Sequence, residues 1–532
     1  MPIRWAYLKR VLAGAIFGLY MAHLLYFLNP QVEITPGRLA SVTLVYGITC
    51  GLLFGSILWG FRALRVWALG RPDPYRTHGF GFVVSAAFVS SFIYWMHLRL
   101  LRIDLYLPIG AVRILSKATN VITVTAFVLL ALWVIERDAD RRASRVIFFI
   151  GVLLIALSAV FLYQRRDSYR TDRKEVVVTT IRAVAGEPVI LVAIRNLPYD
   201  WIVTMKGEGL LPWLGAATDR AYFTRLEPFP TTSPKSLWAS LATGKLPYRH
   251  GVTGRFSYKT PLHPEPFLLL PYGVGFRAWG LIPPVARISA PLPSGEGLPV
   301  WMLFQRLQLP AEVVRWRSVR TAQHAADVTS ASKRFDATGA ARPQILAALS
   351  ADLGAAAAIR NDVALTAMEL DGFEIAQRAI RVYANEIPPR GSVKGDAVRA
   401  YVQQLDRALA KIASEHPNHR LVVCSPHAVT PPRLPANVFA LVADAVTPRD
   451  PGADDGFLLV TGPDAAHRAN PAAARVVDVV PTLLFASGLP IGRDMDGRVL
   501  TDAFTDEMLR RNALSVIQTY EAERVVVRRG GV

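Results

Sequence analysis

Five apolar runs in the first 164 residues constrain this chain more than anything else in it. Val11 to Leu28 is an 18-residue apolar stretch behind Arg4, Lys9 and Arg10. It is longer than the hydrophobic region of a usual secretory leader, and no small-residue cleavage site follows before Asn29-Pro30, so it reads as a spanning helix. Four more follow, at about Leu39 to Phe61, Phe80 to Leu98, Ile114 to Ile135 and Val146 to Tyr163. Each is near the ~20 residues that cross ~30 Å of hydrocarbon. His23, Ser85, Ser90 and Ser91 fall inside these runs, where polar groups more often bond between helices than bind a ligand.

Net charge is +19 over 532 residues, a balance that in a soluble protein would suggest nucleic acid. The distribution points elsewhere. Through Glu175 there are 21 Lys and Arg against 9 Asp and Glu, so +12 of the +19 lies in the membrane-like third. With a cytoplasmic N-terminus the inner loops hold eleven basic residues and the outer loops five, the bias that orients membrane proteins. Five crossings then place everything after Tyr163 outside, which in a bacterial envelope is the periplasm. Arg165, Arg166, Arg170, Arg173 and Lys174 form a basic stalk suited to anionic headgroups. The lipid bilayer is thus the expected partner, with no nucleic acid. Two cysteines, Cys50 and Cys424, imply no disulfide framework, and no CxxC or HExxH spacing announces a zinc site.

Beyond Glu175 the pattern becomes α/β. Val189 to Ile194 is a continuous apolar run of the kind that forms a buried parallel strand, and Val363 to Met368, Leu421 to Cys424 and Phe457 to Val460 read the same way. Helical stretches at Pro343 to Ile359 and Ala397 to Ser414 alternate with them. The expected architecture is an α-helical membrane bundle over 1–164, a basic linker over 165–186, and an α/β domain over 187–532 with a mostly parallel sheet covered by helices on both faces. Pro261 to Pro299 reads as a Pro-rich loop or lid insertion.

The segment Phe229 to Val252, FPTTSPKSLWASLATGKLPYRHGV, combines a Pro/Thr turn, a hydroxyl residue before Pro234, a helical run, the tag Ala242-Thr243-Gly244 and the pair His250-Gly251. It resembles the nucleophile segment of the alkaline phosphatase superfamily, in particular its type I phosphodiesterase and nucleotide pyrophosphatase branch. Met368-Glu369-Leu370-Asp371-Gly372, Cys424-Ser425-Pro426-His427 and Phe457 to Pro463 fit in the same order. The closing run Arg475 to Leu484, Gly488-Leu489-Pro490 and Asp494-Met495-Asp496-Gly497-Arg498 is the most specific part. The resemblance implies Ser233 as nucleophile, with Thr232 as alternate, at a helix N-terminus whose free N–H groups favour a phosphoryl oxygen. A plain capping role for that Ser/Thr turn is the competing reading.

The resemblance also implies two divalent metals held by Asp and His, and here the chain departs from it. Arg195 stands where the family has an Asp after the first strand, Gln377 or Arg378 falls where a His is expected, and Pro426 replaces the Asp beside His427. Near ~4 Å and at an effective dielectric of ~20, a unit positive charge opposes a divalent ion by roughly 8 kcal/mol. The expectation is therefore a membrane-anchored pseudoenzyme that binds a phosphate, lipid headgroup or envelope glycan, with Arg195 as the phosphate-binding residue and no cofactor. The alternative is an active phosphodiesterase or phosphotransferase using Ser233 and a single zinc or manganese ion on His427, Glu374 and Asp371, with Asp200 able to join only if its turn is rebuilt.

Overall fold

The computed structural model describes residues 2–29, 34–69, 80–99, 109–166, 178–183, 186–229, 234–252, 256–260, 263–267, 286–289, 297–316, 341–380, 387–427 and 455–529, with Val32, Leu107 and Val382. The chain divides into two compact units, Met1–Arg173 with Thr253–Ala290 and Pro435–Pro448, and Lys174–Val252 with Pro291–Leu434 and Arg449–Val532.

The first unit is built on α1 (Pro2–Leu28), α2 (Pro36–Leu69), α3 (Phe80–Arg99), α4 (Ile109–Arg137) and α5 (Arg141–Arg166). Among the described residues four helices are long and apolar enough to cross a membrane, within α1, α2, α4 and α5. The third expected span, α3, carries only the shorter apolar stretch Val83–Leu98. Ser90, Ser91 and His97 are buried on it, Ser91 Oγ lies 2.7 Å from Thr123 Oγ1, and the Tyr94 hydroxyl donates to the Tyr20 carbonyl. Large apolar residues are exposed on the helices, among them Leu44, Ile48, Leu52, Phe92, Phe127, Phe149 and Leu153, outer faces that suit lipid better than water.

Glycines weld α1 to α2. Gly14 on one helix meets Gly51 on the other and Gly18 meets Gly47, while Gly55 lies against Val11, an antiparallel seam of small residues four apart. A Cβ on Gly14 would stand 2.8 Å from the Cys50 carbonyl oxygen, one on Gly51 2.7 Å from that of Val11, and one on Gly18 closer still to that of Tyr46. The expected Pro261 to Pro299 loop instead holds two strands of a three-stranded antiparallel sheet, ordered His263–Phe267, Phe256–Thr260, Ala286–Ser289. Phe267 from that sheet is buried among Tyr26, Val42 and Tyr46 at the end of the α1–α2 pair.

The strands of the second unit include β1 (Val178–Ala183), which pairs with Arg524–Arg529, β2 (Val189–Ile194), β3 (Tyr222–Glu227), β4 (Ala311–Val314), β5 (Leu365–Leu370), β6 (Arg420–Ser425), β7 (Gly456–Thr461) and β8 (Ala474–Arg475). Seven of them form one sheet, ordered β8-β3-β7-β6-β2-β5-β4. The sheet is mixed, which corrects the mostly parallel expectation in one place. β7 runs antiparallel to both β3 and β6, while β2 is parallel to β5 and β6 and β5 is parallel to β4. An unbroken apolar run signals burial on both faces and says nothing of direction, so Phe457 to Val460 could not reveal the reversal.

Alternation along β2 assigns the two faces. Val189, Leu191 and Ala193 join Leu237, Trp238 and Leu241 of the helix Pro234–Thr243 and the 476–508 region in one core. Ile190, Val192 and Ile194 join Trp201, Leu214, Phe373, Val402 and Leu405 in the other. Helices thus cover both faces, as the sequence implied.

Gly18→Val is expected to lower the unfolding midpoint of the detergent-solubilised protein, by on the order of 1–3 kcal/mol from overpacking. Gly60→Ala, whose Cβ would meet nothing within 4 Å, is expected to be neutral or stabilising by up to ~1 kcal/mol. Equal midpoints for wild type and Gly18→Val would contradict the close seam.

Candidate functional site

Residues just past the ends of β2 and β5 build the site. Arg195 follows Ile194, and its amide donates to the Leu370 carbonyl at 2.9 Å. Being odd-numbered, it continues the β2 side that packs on Trp238; Glu369 lies on the same side of β5, in register with Ala193. Asn196 then turns the chain away in the left-handed region, φ 62°, a conformation Asn tolerates better than most residues.

The guanidinium of Arg195 is held from three directions. Its Nε donates to Glu369 Oε1 at 2.5 Å and its Nη1 to Glu374 Oε2 at 2.9 Å. Its carbon stands 5.0 Å from the centre of the Trp238 ring, within cation–π range. The other oxygen of Glu374 accepts from Arg378 one helical turn on. Burial works against ionisation of Arg195, but the charges of Glu369 and Glu374 outweigh it and raise its pKa. Glu374 mirrors this: burial would raise it, yet Arg195 and Arg378, with His427, hold its carboxyl below the usual range. His427 also meets Trp238 edge to face, ring centres 6.4 Å apart. Trp316 lies 5.7 Å from Trp238 and 5.1 Å from Trp301, closing an indole wall.

The structure therefore brings Arg195, Glu374 and His427 together and sends Asp371 elsewhere. The Asp371 carboxylate accepts from Arg315 at 2.6 Å, and Arg315 also donates to Asp352 at 3.0 Å. Asp352 further accepts from the Tyr401 hydroxyl and the Gly372 amide, and burial pushes its pKa up to about 6. A Cβ on Gly372 would collide with that network, which explains the Asp371-Gly372 pair without catalysis. Asp200 is bound at the surface by Arg225 at 2.5 Å. Thr232 and Ser233 lie outside the described residues. Sequence reasoning missed Glu369 and Trp238; the available signal was a carboxylate inside a strand whose six residues are all buried.

Each candidate carboxylate is thus already bonded to an arginine: Asp200 to Arg225, Asp371 to Arg315, Glu374 to Arg195 and Arg378. Among the described residues no group of three or more His, Cys, Asp or Glu side chains is placed to hold a metal ion. Among the described residues the donor set does not fit a divalent pair, because each of these carboxylates would first have to release a guanidinium.

The nucleophile-like segment is fixed by structural bonds. Val252 N–H donates to His250 Nδ1 at 3.1 Å, so Nε2 carries the proton toward Ser240 Oγ at 2.8 Å. Gly244, at φ +68°, ends the helix, and its carbonyl accepts from the amides of Asp496 and Gly497. Asp478 receives the amides of Arg475 and Arg498.

No family model matches the chain. No curated protein matches it either. Among solved structures it is similar to murine ectonucleotide pyrophosphatase / phosphodiesterase 5, at 11% identity and a TM-score of 0.37 over 60% of this chain and 100% of that one. It is also similar to a 2-O GAG sulfatase, at 11% identity and a TM-score of 0.37 over 60% of this chain and 74% of that one. A putative sulfatase from Bacteroides thetaiotaomicron gives 10% identity and a TM-score of 0.38 over 59% of this chain and 74% of that one. TM-scores and identities of this size are too low to assign an activity.

His250 gives a pH prediction. Burial lowers its pKa to about 3, so the neutral ring contributes stability above pH ~6.5 that is lost as pH falls toward 3. Asp352, with its raised pKa, acts oppositely: its contribution is full below the ordinary carboxyl value and lost as pH rises through about 6. Thermal scans of wild type and His250→Gln separate the two. The variant is expected to lose less stability between pH 6.5 and 4, by on the order of a few kcal/mol; parallel curves would contradict it.

Proposed function

We propose that this is a membrane-anchored protein whose outward-facing α/β domain, related to the type I phosphodiesterase branch of the alkaline phosphatase superfamily, acts by binding a phosphate-bearing lipid or envelope headgroup rather than by metal-assisted phosphoryl transfer. The observation that carries this reading is Arg195 held between Glu369 and Glu374. Two-metal phosphoryl transfer needs ions that clamp the attacking and leaving oxygens, and the groups that would hold them are engaged by guanidinium groups of the same chain. Arg195, Arg378, Glu369 and Glu374 sum to zero charge, so the cluster suits a headgroup carrying both signs better than a free phosphate dianion. Arginine forks bind phosphate without transferring it.

The test uses the full chain in nanodiscs. Elemental analysis is expected to find less than one equivalent of zinc or manganese per chain, and hydrolysis of an aryl phosphodiester is expected to be equal in wild type and Ser233→Ala. Calorimetric binding is expected to be stronger for phosphoethanolamine than for inorganic phosphate. Stoichiometric metal with turnover that depends on Ser233 would overturn the proposal.

With a cytoplasmic N-terminus an outward-facing domain takes an odd number of crossings, so this reading has α3 span with the four longer apolar helices. Its 20 residues give about 30 Å of helix, enough for the hydrocarbon core, and Ser91, Tyr94 and Trp95 bond to neighbouring helices. Val393 is 89% exposed, whereas Cys50 and Cys424 are buried. Val393→Cys is therefore expected to react with a membrane-impermeant maleimide in spheroplasts. Labelling only after lysis would place the domain inside.

A further inference from the structure

The three-stranded sheet of the first unit lies at a depth where a sheet is unusual. Tyr258 and Phe267, opposite one another on neighbouring strands, pack with Ala22, Leu25 and Tyr26 of α1 and with Val42 and Tyr46 of α2. Phe267 is 2% exposed, and its ring centre lies 6.5 Å from that of Tyr26. The apolar span of α1 is the 19 residues Arg10–Leu28, about the length that crosses the hydrocarbon core. Ala22, Leu25 and Tyr26 occupy its last two turns. The glycine seam gives the same level from the other helix: Gly14 lies beside Gly51 and Gly18 beside Gly47, and continuing that antiparallel count sets Val42 beside His23. Phe267 therefore stands alongside the ends of the apolar spans and not beyond them.

Two constraints meet at that level. Hydrocarbon does not tolerate a lipid-exposed sheet edge, because its N–H and C=O groups would be unpaired, and this sheet has two edge strands, His263–Phe267 and Ala286–Ser289. Its contacts with the last turns of α1 equally keep it from standing far out in water. The headgroup layer, roughly 5–8 Å deep on each side of the core, meets both conditions. In the sequence, residues 268–285 between those two strands carry one charge, Arg277, and the aromatic residues Tyr272, Phe276 and Trp279, a composition suited to a membrane interface.

We propose that this sheet is a membrane-interface element, seated among the phospholipid headgroups of the outer leaflet with Phe267 as its anchor and the exposed Lys259 within reach of headgroup phosphates. The inference rests on the membrane-anchored reading and adds to it an attachment to the lipid surface besides the spanning helices. The chain leaves the second unit after Val252 and re-enters it at Pro291, so both flanks of the sheet continue into the domain proposed to bind a headgroup.

The experiment uses the full chain in phospholipid nanodiscs with a bimane dye on Lys259→Cys; Cys50 and Cys424 are buried. Quenching is compared for a lipid with a nitroxide on its headgroup, a lipid with a nitroxide at mid-chain and a water-soluble nitroxide. The headgroup nitroxide is expected to lower emission ~2-fold or more, and further than the mid-chain one, because the dye shares the ~5–8 Å headgroup layer. Adding Phe267→Ser is expected to abolish most of that quenching. If the double variant does not accumulate, the depth found with Lys259→Cys alone decides. Quenching by the soluble nitroxide only, by the mid-chain nitroxide most strongly, or by none of the three overturns the inference, as does headgroup quenching that Phe267→Ser leaves unchanged. A chain that does not enter nanodiscs overturns the membrane-anchored reading and this inference with it, whereas a chain that enters and keeps Lys259 clear of lipid overturns this inference alone.

Discussion

A single guanidinium ties together the parts of the second unit that a phosphoryl-transfer site would need to keep free. Arg195 leaves β2, grips a carboxylate on β5 and another on the following helix, and lies against Trp238 of the nucleophile-like helix. Buried ion pairs return their desolvation cost only when geometry is good and each charge is compensated. That condition holds here, since Glu374 divides its two oxygens between Arg195 and Arg378. Arg195 thus supplies counter-charge to the buried acids at this strand end.

Arginine pairing extends to the neighbouring carboxylates. Arg315, itself at φ 55°, bridges Asp352 and Asp371, and Arg225 lies 4.4 Å over the Tyr199 ring while binding Asp200. These are three separate guanidinium–carboxylate systems, each supported by an aromatic ring or a buried hydroxyl. Fixed pairs of this kind specify one arrangement of loops and strand ends. They also leave little free negative charge at the place where a divalent ion would need it.

Much of the fold was legible in the sequence. Apolar run length marked the five N-terminal helices, four of them long and apolar enough to cross a membrane, and continuous apolar strands separated by helical stretches marked a sheet covered on both faces. Strand direction was not legible, because burial on both faces is compatible with either. Nor was the α1–α2 seam, although Gly14, Gly18, Gly51 and Gly55 stand four residues apart in each helix; periodicity of apolar residues alone draws no attention to the small ones. At the site, Arg195, Glu374 and His427 were identifiable from their positions in the motifs. Glu369 was hidden, because a carboxylate within a buried strand only becomes interpretable once its cation is known, and that cation lies 174 residues away in the chain.

The motifs that match the phosphodiesterase pattern best are the ones whose work here is structural. Gly244, Asp478, Asp496 and Gly497 join the end of one helix to the closing segment through backbone amides and carbonyls, and a Cβ on Gly497 would overlap the Val477 carbonyl. Such contacts admit almost no substitution whatever the domain does, because a lost backbone partner or an added Cβ inside a close-packed region is felt directly. Metal-binding positions are constrained only by the metal. Once a guanidinium supplies the positive charge, the carboxylates are satisfied and the fold no longer requires an ion. Glycines and hub aspartates of this kind are therefore fixed by the fold alone, so the side chains around Arg195 carry more functional information than the motifs that frame them.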